Sequence, residues 1–222
     1  MKIGIIAAMG KELDLLLHII DNVSTVTANG ITFKLGRIAH HEIVAMQCGI
    51  GKVNAAIGTL TMIDSFHPAM IINTGVAGGT GMGAGILDVV VADRVAYHDT
   101  WCGPGTIEGQ AADCPPTFEC SIPDGLLDGL DVKRGLVASG DRFITSAEEV
   151  SRILSIWPDA VAVDMESAAI AHVCYVKSVP FVCLRVISDT PGAADNIAQY
   201  ENFWSDAPLQ TFATLSSLLQ RL

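Results

Sequence analysis

The chain has 222 residues, half of them apolar and 17% charged, with a formal net charge of −11. That length suits one large domain or two small ones, and so few charges imply an extensive interior with room for a buried subunit contact. The acidic balance argues against a nucleic-acid or anionic-membrane partner and favours a neutral, zwitterionic or cationic ligand, although a local cluster could still hold a small anion.

The opening stretch, MKIGIIAAMGKELDLLL, does not read as a signal peptide, because its apolar run is short and Lys11 and Glu12 follow it without a cleavage pattern. No segment approaches the roughly 18 uninterrupted apolar residues of a membrane span. The expectation is a soluble cytoplasmic protein. Six cysteines without C-x-x-C spacing read as free thiols rather than a zinc knuckle or redox pair. The six histidines show no ligand spacing, and no metal site is expected.

In chain order, residues 2–8 predict a buried strand and 11–21 an amphipathic helix with Leu13, Leu16, Leu17 and Ile20 on one face. Two or three short strands follow between 24 and 48, with ANG at 28–30 as a hairpin turn. Residues 49–66 form a Gly-rich turn entering a helix, and 69–75 a continuous buried strand that ends in GVAGGTGMGAG. Strand-like 87–97 precedes an irregular stretch, 98–123, rich in Gly, Pro and Cys and long enough to suggest a functional loop. Then come a strand at 133–140, a helix at 145–156 opened by Thr145 or Ser146, a strand at 160–164, a helix at 165–177 and a strand at 180–188. A last helix starts near Tyr200. Continuous apolar strands alternating with helices predict one α/β domain over 1–222, a three-layer sandwich whose mixed, mostly buried sheet is flanked by helices.

Ligands of open α/β sheets bind beyond the carboxyl ends of strands. The ends here read MGKE (9–12), GIGK (49–52), TGVAGG (74–79), SGDRFI (139–144), MES (165–167) and SD (188–189). They pool small residues, backbone amides and three isolated acids, Glu12, Glu166 and Asp189. Blander readings exist for each. Glu12 could be a first-turn helix charge, Asp189 an Asx-turn, and the Gly-rich run a tight loop, while Asp164 reads as a cap for the helix after it. Three acids at the same kind of position after three apolar strands favour a shared pocket. In that reading Glu166 faces ligand hydroxyls rather than a sealed core. The run GTGMGA (79–84), with Asp99 twenty residues beyond Gly79, mimics a dinucleotide fingerprint. It is rejected because the segment after it reads as a strand, where the fingerprint needs a helix.

Seven segments in order, KIGIIAAM..E, GIGKVNAA, IINTGVAGG, DVVVAD..YHD, GLVASGDRFI, AVDMESAAIAHVC and PFVCLRVISD, resemble the bacterial 5'-methylthioadenosine/S-adenosylhomocysteine nucleosidases of the nucleoside phosphorylase/hydrolase superfamily. The resemblance covers nearly the whole chain. It implies a nucleoside phosphorylase-like fold and hydrolysis between adenine N9 and ribose C1', without metal or organic cofactor. Asp189 would protonate N7, Glu12 would activate the attacking water, and Glu166 would bind the ribose hydroxyls with Met165 against the sugar. Phe143 would stack on the base and the backbone of Ile144 would read its edge. Arg185 would support Asp189 or Glu166. Met9, Ile50, Ala77, Gly78 and Ser188 complete the implied substrate contacts, with Phe203 as the aromatic that covers the pocket. The implied partners are a small adenine nucleoside, water and a second copy of the chain, with no nucleic acid or membrane.

A phosphorylase would need cations for a phosphate dianion. Lys52 is the nearest one, but it lies in GIGKV, which the hydrolases share, and Glu12 would repel phosphate. Hydrolysis is therefore preferred. The rivals are a phosphorylase, a hydrolase of futalosine-type nucleosides, and a binding protein without turnover. Two departures from the family pattern bear on this. Val76 stands where the family has serine, which predicts a loosely oriented Asp189 or altered base preference, with faster turnover on restoring Ser. The 98–118 loop follows the family's 5'-group pocket only in part, with Trp101 as a substitute lining.

Overall fold

The computed structural model describes residues 1–123, 125–206 and 208–221. The first half runs β1 (Lys2–Ala7), α1 (Gly10–Leu17), β2 (Asp21–Ala28), β3 (Ile31–Ile38), β4 (His41–Gln47), α2 (Lys52–Phe66), β5 (Met70–Gly79) and β6 (Val89–Tyr97). The second runs β7 (Phe118–Glu119), β8 (Lys133–Ser139), α3 (Ala147–Ile156), β9 (Ala160–Asp164), α4 (Ser167–Lys177), β10 (Phe181–Asp189), α5 (Asn196–Asp206) and α6 (Pro208–Arg221). Among the described residues no helix is long and apolar enough to cross a membrane.

Period-2 alternation divides the apolar strands between two faces of one sheet. Ile3 and Ile5 of β1, Ile72 of β5 and Leu184 of β10 share a core with Leu13 and Leu16 of α1 and Leu215, Leu218 and Leu219 of α6. Ile6, Ile71 and Cys183 point the other way, onto Ala55, Met62 and Ile63 of α2 and Ala168, Ala169, Ile170 and Ala171 of α4. The expected layering of helix, sheet and helix follows. The hairpin at Asn29 and Gly30 has positive φ at both positions, 49° and 79°, as a type I′ turn requires. Ser146 opens α3 with a reciprocal capping box to Glu149.

The sheet runs β10-β6-β8-β9-β5-β1-β4-β3-β2, and β10 also pairs with β5, so the five strands at one end close on themselves. β5 lies parallel to β1 and β10 but antiparallel to β9, overlapping it only where Gly78 and Gly79 meet Val163 and Ala162. Two sets of carboxyl strand ends, from β1, β4, β5 and β10 and from β8 and β9, are thereby brought face to face. The Gly-rich run after β5 leads into strand β6, so the dinucleotide fingerprint indeed has no helix to use.

Some boundaries differ from expectation. β5 continues four residues past Gly75, and α5 starts at Asn196 rather than Tyr200, with α6 following from Pro208. All six cysteines are free thiols, but only Cys174 and Cys183 are fully buried and Cys102 is exposed.

Candidate active site

The three acids reach one cleft by different local means. Glu12 lies in the first turn of α1, where its Oε2 accepts from the N–H groups of Ala8 and Met9, both at 2.9 Å. Its Oε1 accepts from the Val76 N–H at 3.0 Å, tying α1 to the end of β5. Gly75 makes this approach possible, since a Cβ there would stand 2.6 Å from Oε1. Glu12 is thus both the first-turn helix charge and a cleft residue. Burial raises its pKa, while the three N–H groups and the field of Arg185 pull the other way.

Asp164 and Glu166, two residues apart in an apolar segment, find separate answers to burial. Asp164 accepts from Arg185 Nε at 2.8 Å, from the hydroxyls of Ser139 and Ser167, and from the Ser167 N–H at 3.3 Å. It therefore caps the start of α4 as well as forming a buried ion pair. The Arg185 guanidinium also donates to Ser167 Oγ at 2.8 Å, to Asn73 Oδ1 and to the Leu184 carbonyl, so both charges are fully bonded. Glu166 has no such cation. Its Oε1 accepts from the Gly51 N–H at 2.8 Å, at a turn whose φ of 95° suits glycine. Burial, and then the charge of Asp164, push its pKa up to about 7.

Asp189 ends β10 at an irregularity in the pairing with β5. Ser188 Oγ donates to Oδ1 at 2.6 Å and the Asn196 amide donates to Oδ2. Burial raises its pKa against these two donors.

Glu12, Glu166 and Asp189 line a single cleft of about 610 Å³, its solvent mouth included. Met9, Ile50, Val76, Ala77, Gly78 and Ser188 line it on the side of β1, β4, β5 and β10, and Phe143, Ile144 and Met165 on that of β8 and β9.

Three expected contacts fall elsewhere. Arg185 ion-pairs with Asp164 rather than with Asp189 or Glu166, so its support of Glu166 comes through its field, which lowers that carboxyl's pKa, and not through contact. It precedes Asp189 by four residues of extended strand, about 13 Å, and so sits well below the rim. Phe203 is buried with Val89 and Val186, away from the wall. Because α5 starts four residues early, Asn196 and Tyr200 share one face at i and i+4, and Tyr200 is the aromatic that α5 brings to the cleft. The loose Asp189 expected from Val76 is not found either, since both carboxyl oxygens carry a donor. Trp101 is 62% exposed and outside the cleft.

Sequence reasoning missed Tyr200, Asn196 and Arg142. The signal for the first two was Asp195, a helix-start residue four positions before Gln199 and directly before Asn196. Arg142 lines the cleft but is ion-paired with Glu149. Lys52, the other nearby cation, lies 2.8 Å from both oxygens of Asp99 and 3.9 Å from Asp141.

The family model described as Phosphorylase superfamily matches residues 2–220. The structure is similar to that of 5'-methylthioadenosine/S-adenosylhomocysteine nucleosidase from Streptococcus pneumoniae with a transition-state inhibitor, at 34% identity and TM-score 0.91 over 99% of both chains. It is similar to the Neisseria meningitidis nucleosidase in complex with methylthio-immucillin-A, at 33% identity and TM-score 0.91 over 100% of this chain and 99% of the other. A futalosine hydrolase mutant of Helicobacter pylori matches at 27% identity and TM-score 0.91 over 100% and 99%. The chain belongs to the phosphorylase superfamily and, within it, to the 5'-methylthioadenosine/S-adenosylhomocysteine nucleosidases, a family of N-glycosidic hydrolases.

Proposed function

We propose that this enzyme hydrolyses the N-glycosidic bond of 5'-methylthioadenosine and S-adenosylhomocysteine, releasing adenine and the 5-thio-substituted ribose. The observation that carries the reading is the convergence of Glu12, Glu166 and Asp189 on one cleft. Cleavage of such a bond passes through an oxocarbenium-like state, so the sugar needs nearby negative charge while the leaving base needs a proton. Asp189, raised by burial and without a cationic partner among the described residues, is the acid that protonates N7. Glu12, held by three N–H groups and the Arg185 field, is the base that takes a proton from water. Glu166 accepts from the ribose hydroxyls, with Met165 against the sugar, Phe143 on the base, and the Ile144 backbone at its edge.

Water rather than phosphate is the nucleophile in this reading. The cleft carries Glu12, Asp164, Glu166 and Asp189, and its one cation among the described residues, Arg142, is already paired. Lys52 is likewise occupied by two aspartates. The working form is proposed to be a cytoplasmic homodimer. Val53 and Ile57 on α2 are 68% and 55% exposed, and Ile50, Leu60, Tyr175 and Val176 extend the same kind of surface onto α4. An apolar stripe of this kind calls for a cover, and a second copy would also close the mouth beside Ile50.

The test is to incubate the protein with 5'-methylthioadenosine, S-adenosylhomocysteine, inosine and a futalosine analogue, with and without phosphate, and follow free base. Adenine release from the first two without phosphate is expected. Release only with phosphate would make it a phosphorylase, and release from the futalosine analogue alone would align it with the Helicobacter pylori neighbour. Binding without release would make it a nucleoside sensor.

A further inference from the structure

We propose that Asn196 is a positioning residue, which holds the Asp189 carboxyl in the one rotation that lets it exchange a proton with a base in the cleft. The inference rests on the acid role of Asp189 argued above. Asn196 is 4% exposed and begins α5, seven residues beyond Asp189. Its Nδ2 donates to Oδ2 while Ser188 donates to Oδ1, so the carboxyl is gripped from two sides. Val76 offers no third grip. The Oδ1 of Asn196 is buried without a partner among the described residues. A buried amide that leaves most of its hydrogen-bonding capacity unused is costly, and the one bond it makes among the described residues is to the acid.

The same helix face carries Tyr200 to the cleft wall. Its hydroxyl lies 3.3 Å from Met9 Sδ and its ring 5.4 Å from that of Phe143. Gln199 Oε1 accepts from the Thr190 N–H at 2.9 Å, fastening the helix to the residue after the acid. Seating α5 against the cleft and aligning Asp189 are therefore one event.

The bond also acts in the chemical step. As C1'–N9 breaks, its electron pair stays with the base, the Asp189 proton moves to N7, and water adds at C1' while giving a proton to Glu12. Asp189 is left as a carboxylate, and Asn196 stabilises that anion as it forms. Among the described residues, the other ionisable groups lining the cleft around Asp189 are Glu12 from α1, Glu166 and Asp164 from the β9–α4 connection, Arg142 after β8, and Tyr200 from α5.

The experiment measures kcat, KM and the pH profile of adenine release from 5'-methylthioadenosine for the full chain, Asn196→Ala and Asn196→Asp, with Asp189→Asn as control. Losing the donor should lower kcat by about tenfold to a hundredfold and leave KM within about threefold. The high-pH limb, where the acid loses its proton, should rise by about one pH unit in Asn196→Ala and further in Asn196→Asp, whose added charge opposes a second anion. Asn196→Asp keeps the side chain's shape and carries the test if the alanine variant folds poorly. High-pH limbs that coincide with the parent's, or an unchanged kcat, would overturn the proposal. An active Asp189→Asn would instead overturn the acid assignment beneath it.

Discussion

Replacing Glu166 by Gln should make the protein more stable and far less active. The carboxyl has an ordinary pKa of 4.5 and is pushed up to about 7 by burial and by the charge of Asp164. The folded state therefore holds a proton that the unfolded chain releases, and stability falls as pH rises from about 4.5 to about 7, then levels. A gap of about 2.5 pH units at about 1.4 kcal/mol each makes the charged side chain cost about 3 kcal/mol at pH 8. Glutamine keeps the acceptor for the Gly51 N–H without the charge. Urea unfolding at pH 8 should place Glu166→Gln above the parent by up to about 3 kcal/mol, and by clearly less at pH 5.5. Adenine release should meanwhile fall about a hundredfold or more, because a neutral amide neither balances an oxocarbenium-like sugar nor accepts as well from its hydroxyls. A variant less stable than the parent at pH 8, or a difference that ignores pH, would refute this account of Glu166.

Arg185→Met should cost about 3–5 kcal/mol in the same unfolding measurement, since Asp164 would be left as a buried charge without a cation. Gly75→Ala should lower kcat by about a hundredfold with a small loss of stability, because its Cβ would displace the Glu12 carboxylate, read as turnover at saturating substrate. Val76→Ser should leave turnover within about threefold, since Ser188 and Asn196 already hold both oxygens of Asp189.

The strands were legible because burial on both faces demands mostly apolar runs, and KIGIIAA, MIINTG and FVCLRVIS satisfy that demand locally. The cleft was legible for a related reason. Polar residues such as Glu12, Glu166 and Asp189, directly after such runs, have few places to go except the carboxyl edge of the sheet. Partnerships across the sheet were not. Arg185 and Asp164 lie 21 residues apart on strands that do not pair, and nothing in either segment marks one for the other. The closing β10–β5 pair was equally hidden, because each strand is apolar enough to sit anywhere inside. The start of α5 was missed because GAADNIAQ is too polar and too rich in small residues to show helical periodicity, and the family pattern, which implies Phe203 as the covering aromatic, gives no sign of Tyr200.

The central claim is that an acid at position 189 delivers the proton that frees the base. It is tested most directly by kcat/KM for 5'-methylthioadenosine hydrolysis in Asp189→Asn, with adenine binding to the same variant measured by calorimetry. The account predicts a fall of about a hundredfold or more in kcat/KM with adenine still bound. A variant that releases adenine at near the parent's rate would contradict it.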